Sequence, residues 1–400
     1  MNLLKVTFSV YPTYYKELVD LPWYLPLSEW ESHGVRFLDF RKGLSRHEVR
    51  FVKRNRFSFA IKETTERAAI AEVNNYHKIL SLGIHTLLPV GYVVTEKPPI
   101  EVKTPMGYVY ESDNLVHVIT VLEERAIPDS MLYRWRFKEE NKRLIWDAVA
   151  ELFAILHKNN IYWGDASLAN LLVRFFKIRD ESGRTRTELK AMLADAETVE
   201  FLPAMSDSMV DEELDFFFES MEWIHEDLRI SGVVSEESSP ENEKHYIKNK
   251  YYAFCEFLKL SDEFEQETNL SVRKYFISVK DAESLSSIYT QIKEHKWYLS
   301  ERAGKEIPMP EAAKDWVETI FKPILAEFDK LRVFDYFAFK SAGSLFVEIM
   351  THKYYLSQQK GEDVGIDVAI LSYSGLYKNT AEKPLLQKLA EIFYKLLPKK

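Results

Sequence analysis

The chain has 400 residues, 62 acidic and 53 basic, with a net charge of −9; hydrophobic residues make up 46% and charged residues 29%. This balance excludes a disordered chain and one drawn as a whole to nucleic acid or anionic lipid, and the length allows two or three subdomains. A single cysteine, Cys255, excludes an internal disulfide and a cysteine-rich zinc site, and fits a reducing cytoplasm.

In chain order, Met1–Val10 lacks the basic region, apolar run and small-residue cleavage site of a signal peptide. Residues 1–34 are rich in aromatics and proline (Leu21-Pro-Trp-Tyr-Leu-Pro26). They are expected to wrap the next unit as irregular structure with a short helix. Alternation of apolar and polar residues predicts strands at Val35–Phe40, Glu48–Val52 and Phe57–Lys62, then around Val90–Val94 and Val116–Val121. Between them, 65–82 reads as a helix, with Ala69, Val73, Tyr76 and Ile79 near one face. Residues 139–158 are an amphipathic helix, since Leu144, Ile145, Ala148, Val149, Leu152 and Leu156 recur at helical spacing. Leu171–Ile178 and Leu189–Leu193 read as a hairpin around the polar turn Arg179-Asp-Glu-Ser-Gly183. Helices are expected at about 210–230, 243–260, 283–303 and 311–331, with Ser235–Asn242 as a linker or loop. No stretch approaches 18 uninterrupted apolar residues, so no membrane span is expected.

The C-terminal third repeats itself. His295-Lys-Trp-Tyr-Leu-Ser300 with Gly304 matches His352-Lys-Tyr-Tyr-Leu-Ser357 with Gly361, at a constant offset of 57 residues. The first reading is a duplicated helix–turn–helix in which each glycine ends a helix. The second is a pair of pseudo-symmetric binding edges, which would suit a protein partner.

The chemistry concentrates in Ile161-Tyr-Trp-Gly-Asp-Ala-Ser-Leu-Ala-Asn170 and in Met192-Leu-Ala-Asp-Ala-Glu-Thr198. Asp165 and Asn170 lie five residues apart between a helix and a strand, and the hairpin would fold Asp195 back onto Asn170. Phosphoryl transfer needs such parts in this order: an Asp to orient the acceptor hydroxyl, then an Asn and a second Asp to hold Mg²⁺ against the nucleotide phosphates. Glu197 is a further candidate metal or water ligand. Taken singly, these are a turn Asp and a capping Asn; their joint context favours the catalytic reading. Lys62, at the end of a strand, is the candidate phosphate-binding lysine. Glu72 on the next helix is its partner, with Glu66 in competition. Gly43, Ser45, Arg46 and His47 occupy the turn where a phosphate loop would sit, although a basic surface hairpin explains them equally. Arg50, Lys53, Arg54 and Arg56 extend this basic run, which could attract ATP or an anionic acceptor. His117 and His157 read as structural.

These motifs resemble the kinase-like phosphotransferase superfamily, in its lipopolysaccharide-kinase and aminoglycoside-phosphotransferase branch. Trp163-Gly-Asp165 stands where that branch has His-Gly-Asp, and Asp195-Ala-Glu197 where protein kinases have Asp-Phe-Gly. More narrowly, Gly43-Leu-Ser-Arg-His47, Trp163-Gly-Asp-Ala-Ser167 and Trp297-Tyr-Leu-Ser-Glu-Arg-Ala-Gly304 are similar to segments of the bacterial domain of unknown function 4032 family. The resemblance implies a kinase-like core, a helical C-terminal part and a reaction class, but no acceptor. Gly164 replaces the catalytic-loop arginine, so no activation-loop phosphate switch is expected.

The expectation is an α+β, bilobal protein-kinase-like fold. It comprises a wrapping segment (1–34), an antiparallel small lobe (35–122), a mainly helical large lobe (123–269) and a helical extension with two repeats (270–400). The expected function is ATP- and Mg²⁺-dependent transfer of the γ-phosphoryl group to a hydroxyl of a sugar, lipid headgroup or small metabolite, in the cytoplasm. The alternatives are a nucleotide-binding pseudokinase or scaffold, a nucleic-acid-associated factor using Arg41–Arg56, and an AMP transferase. The acidic total charge argues against nucleic acid.

Overall fold

The computed structural model describes residues 4–39, 47–98, 100–104, 107–111, 114–135, 137–235, 237–337 and 340–377. The described residues form two compact units. One comprises residues up to 174 with 189–246, and the other 175–188 with the chain from 247 onward.

The first unit opens with β1 (Lys5–Val10), α1 (Pro12–Leu18) and two 3-10 turns, Leu27–Glu29 and Glu31–His33. Then come β2 (Val49–Arg54), β3 (Phe57–Thr64), α2 (Glu66–Ser81), β4 (Pro89–Glu96), the hairpin of β5 (Ile100–Thr104) and β6 (Gly107–Glu111), and β7 (Leu115–Val121). Five strands form an antiparallel sheet in the order β1-β4-β7-β3-β2. Residues 1–34 are therefore more than the irregular wrap expected from their prolines and aromatics, because β1 is an edge strand of the sheet, paired from Lys5↔Glu96 to Val10↔Gly91. That pairing depends on Gly91, whose φ is +136°; a Cβ there would lie 2.0 Å from the Ser9 carbonyl oxygen. The strand expected at Val35–Phe40 is reduced, over its described residues, to a single bridge between Phe37 and Val52.

Strand alternation sorts the sheet's two faces. On one, Phe59, Ile61, Val93 and Ile119 pack under Leu18, Leu21, Trp23, Leu27 and Trp30 of the N-terminal segment. On the other, Val94, Val116 and Val118 receive Ala69 and Val73 of α2. Lys62, next to Ile61 along β3, consequently points to the α2 side. Thr65 caps α2, its Oγ1 accepting from the Ala68 N–H at 3.3 Å.

The rest of this unit is mainly helical. It contains β8 (Ala126–Pro128), α3 (Asp129–Tyr133), α4 (Glu139–Lys158), β9 (Ile161–Tyr162), the bases of β10 (Leu171–Arg179) and β11 (Thr185–Leu193), whose residues 175–188 count with the second unit, β12 (Glu200–Phe201) and α5 (Asp207–Ile230). Helix α4 has the bounds its periodicity predicts. β10 and β11 form the expected hairpin, flanked by β8, and β9 pairs with β12. The whole is α+β, with the bilobal kinase-like architecture that the sequence predicts.

The second unit contains most of α6 (Glu241–Thr268), then α7 (Val272–Tyr275), α8 (Ala282–Ala303), α9 (Met309–Trp316), α10 (Lys322–Lys330), α11 (Val333–Tyr336), α12 (Ala342–Lys360) and α13 (Ile366–Tyr377). The expected helix 311–331 is broken by a π-helical turn at Val317–Phe321. Pro323, just beyond, lacks the N–H that would continue the regular ladder. Phe264, Phe276, Trp316, Phe321 and Phe346 anchor the core of this unit. The repeat is visible in its contacts. His295 Nε2 lies 2.7 Å from Asp315, and His352 Nε2 lies 3.0 Å from Ser372 Oγ. Lys296 pairs with Glu306 and Lys353 with Asp363. Ser300 and Ser357 Oγ accept the N–H groups of Ile307 and Val364 at 3.0 and 3.1 Å. Gly304 and Gly361 end their helices at φ 64° and 71°. Each repeat is a helix–turn–helix, and the matched residues are those that close its turn. No described helix is long and apolar enough to cross a membrane.

Candidate active site

Lys62 is nearly buried, and three carboxylates surround its ammonium group. Nζ lies 2.8 Å from Glu72 Oε2, 3.0 Å from Asp195 Oδ2 and 3.0 Å from Glu197 Oε2. The expected competitor, Glu66, is exposed in the first turn of α2. Glu72 is reached although only one decade of sequence separates it from Lys62, because the chain turns directly from β3 into α2 and Glu72 stands on the helix's buried face. Burial alone would depress the Lys62 pKa. The attraction of Glu72, then of Asp195 and Glu197, outweighs it and raises the value well above the ordinary lysine range, so the ammonium is charged. Burial pushes Glu72 up to about 7, with Asp195 adding repulsion and Lys62 opposing both. Burial likewise raises Asp195, against the pull of Lys62.

Asp195 and Glu197 follow β11, and Asn170 precedes β10, so the hairpin joins them at its base. The Ala194 N–H donates to the Asn170 carbonyl at 2.9 Å. Asn170 Nδ2 donates to the Asp165 carbonyl and to its Oδ2, at 3.0 and 3.1 Å, which fixes the Asp165 side chain. Asp165, Asn170, Asp195 and Glu197 share one cavity of about 530 Å³. His47 also faces it, with Nε2 3.6 Å from Glu197 Oε1. Gly43, Ser45 and Arg46 lie outside the described residues. In the described part of the basic run, Arg50 pairs with Glu48, Arg54 with Asp20, and Arg56 stacks on Phe57, while Lys53 is exposed.

The structure adds residues that sequence reasoning passes over. Glu213 of α5 is buried and accepts the N–H groups of Trp163 and Gly164 at 2.5 and 2.8 Å, with His157 Nε2 at 2.7 Å. It fastens the chain just before Asp165, and an acid in the first turns of a long helix gives no sequence signal for that role. Tyr76 OH lies 2.5 Å from the Ala194 carbonyl, and Asn75 Nδ2 donates to the Ala196 and Val199 carbonyls. Trp163, in the histidine's place, is fully buried and donates through Nε1 to the Asp195 carbonyl at 2.8 Å. Gly164 has φ +78°, and a Cβ there would lie 3.1 Å from the Thr198 carbonyl oxygen, so a larger residue would force a shift.

Glu72, Asp195 and Glu197 offer oxygen atoms within 4.8 Å of one another. An all-oxygen donor set of this kind suits Mg²⁺ rather than a soft metal. Asp195 and Glu197 against the one ammonium of Lys62 also leave an excess of negative charge for a divalent cation to balance.

An antiparallel lobe with a lysine–glutamate pair, then a loop bearing Asp165 and Asn170, then a hairpin returning Asp195, defines a protein of kinase-like fold. The model of the family described as Domain of unknown function (DUF4032) matches its residues 266–321 and 312–377. Of the three segments that carry the resemblance, Trp297–Gly304 lies inside this range. No curated protein matches the chain. Among solved structures it is similar to WaaP in complex with acyl carrier protein, at 11% identity and TM-score 0.38, over 62% of this chain and 88% of that one. It is also similar to the Rio2 kinase from Chaetomium thermophilum. The ADP/Mg²⁺-phosphoaspartate complex matches at 13% identity, TM-score 0.31, over 56% of this chain and 63% of that one. A second Rio2 structure matches at 12% identity, TM-score 0.31, over 56% of this chain and 65% of that one. The chain thus spans just under two thirds of the Rio2 chains.

Proposed function

We propose that the chain is an ATP- and Mg²⁺-dependent phosphotransferase acting on a hydroxyl acceptor. The observation that carries this reading is the Lys62–Glu72 pair held against Asp195 and Glu197, on the same cavity as Asp165 and Asn170. Asp195, with Asn170 and Glu197, would hold Mg²⁺, which when bound neutralises charge on the nucleotide phosphates. Lys62 turns its ammonium from these carboxylates to the phosphate oxygens, with Glu72 keeping it in place. Asp165 orients the acceptor hydroxyl and takes its proton as the new oxygen–phosphorus bond forms; the bond to the bridging oxygen breaks and ADP leaves with that electron pair. A cytoplasmic setting fits the lone Cys255.

The test is Mg–ATP binding by titration, together with γ-phosphate release or transfer, in wild type and Asp165→Ala. The variant should bind nucleotide like wild type and lose ~10²–10⁴ in turnover, the usual contribution of a positioned base. Wild-type turnover in Asp165→Ala would contradict the assignment. Binding without turnover in the wild type, across an acceptor screen, would favour the pseudokinase reading.

A further inference from the structure

We propose that Lys62 and the divalent cation compete for the same carboxylate oxygens, so that nucleotide gates the metal site by drawing Lys62 away. This rests on the phosphotransferase reading and specifies how that site is regulated.

Asp195 and Glu197 each give one oxygen to Lys62 and commit the other elsewhere. Asp195 Oδ2 and Glu197 Oε2 both lie 3.0 Å from Nζ. Asp195 Oδ1 accepts the Glu197 N–H at 3.2 Å, and Glu197 Oε1 lies 3.6 Å from His47 Nε2. A cation bridging the two side chains would therefore take the oxygens that Lys62 holds. The ammonium group, in contact with both, fills the space between them. A divalent cation beside it would be repelled at short range in a partly desolvated site.

The segment that carries these carboxylates is not free to swing aside. From Leu193 to Ala196, every backbone carbonyl is tied by a side chain from elsewhere in the first unit. Thr86 Oγ1 donates to the Leu193 carbonyl at 2.7 Å, Trp163 Nε1 to that of Asp195 at 2.8 Å and Asn75 Nδ2 to that of Ala196 at 2.8 Å, while Tyr76 OH lies 2.5 Å from that of Ala194. Lys62 is the part that yields. Its charge ends a flexible four-carbon stem. It can also keep Glu72, at 2.8 Å, while leaving the other two carboxylates. Phosphate oxygens of a nucleotide supply the charge-assisted hydrogen bonds that replace them. Nucleotide binding thus frees the oxygens that the metal takes, and by linkage nucleotide and metal raise each other's affinity by the same factor.

The test titrates Mn²⁺, a cation that suits oxygen donors as Mg²⁺ does, into the full chain at neutral pH without nucleotide. Free Mn²⁺ is read by electron paramagnetic resonance. Lys62→Met should bind the ion at least about tenfold tighter than the wild type. Lys62→Gln should do the same, and circular dichroism checks that each variant folds. Adding Asp195→Asn to Lys62→Met should remove the gain. With ADP present, Mn²⁺ affinity should rise by a larger factor in the wild type than in Lys62→Met. The proposal is overturned if folded Lys62→Met and Lys62→Gln bind Mn²⁺ no tighter than the wild type, if the gain survives Asp195→Asn, or if ADP raises the affinity equally in wild type and Lys62→Met. Failure of the wild type to bind ADP with Mn²⁺ present would instead count against the phosphotransferase reading, and the nucleotide-free comparison would still decide the competition.

Discussion

Glu213 illustrates how much of the site depends on a residue outside it. One buried carboxylate takes two backbone donors and His157, and so sets the course of the chain into Asp165. Glu213→Ala would leave those donors buried and unpaired, at about 1–3 kcal/mol for such a group. The expected outcome is turnover reduced tenfold or more with Mg–ATP affinity within about twofold of wild type; unchanged turnover in a folded variant would contradict the positioning role. Asp129 offers a second test. Its side chain is fully buried, neither carboxyl oxygen has a hydrogen-bond partner among the described residues, and burial pushes its pKa up to about 8. The folded chain therefore holds a proton that the unfolded chain releases near pH 4. Because the folded state binds more protons across this window, this group's contribution to stability falls as pH rises from about 4 to 8, and changes no further above it. Asp129→Asn should accordingly gain in Tm over wild type as pH goes from 5 to 8. A constant difference across that range would show that Asp129 is charged in the fold.

At the scale of elements, the two faces of the small-lobe sheet differ in what they demand. The outer face depends on Trp23 and Trp30, both fully buried, with their rings 5.0 Å apart at 85°. Trp30→Ala should cost about 3–5 kcal/mol, read as a drop in urea midpoint at constant slope; a loss under 1 kcal/mol would mean that the N-terminal segment is not integral to the lobe. Gly91→Ala should likewise lower Tm by detaching β1, since its Cβ would collide with the Ser9 backbone. These elements were unequally legible. Helices α2 and α4 and the β10–β11 hairpin follow from periodicity, because packing one face against a core imposes it. β1 carried a signal too, as Lys5-Val-Thr-Phe-Ser-Val10 alternates without a break, but the prolines and aromatics that follow read as an irregular wrap. The converse error at Val35–Phe40 has a similar source: short alternation cannot say whether a partner strand is available. In the site, Lys62, Glu72, Asp165, Asn170, Asp195 and Glu197 could be named from motif order. Glu213, Asn75 and Tyr76 could not, because their roles are hydrogen bonds to backbone distant in sequence.

For the molecule as a whole, the net charge is −9; within the basic stretch, Arg50, Arg54 and Arg56 have partners in the chain, Lys53 is exposed, and residues 41–46 lie outside the described residues. The second unit separates fold from function in another way. Its repeated His, Lys, Ser and Gly residues close the helix turns, whereas the aromatic pairs Trp297–Tyr298 and Tyr354–Tyr355 stay exposed. The duplicated motif is thus accounted for by architecture except at these four rings. The candidate site lies in the first unit, and labelled ATP probes its chemistry. Purified wild type and Asp195→Ala are incubated with Mg²⁺ and either γ- or α-labelled nucleotide. The wild type should release or transfer γ-label, Asp195→Ala at least a hundredfold less, and neither should transfer α-label. Transfer of α-label would make the chain a nucleotidyltransferase, and γ-label turnover that survives Asp195→Ala would contradict the site itself.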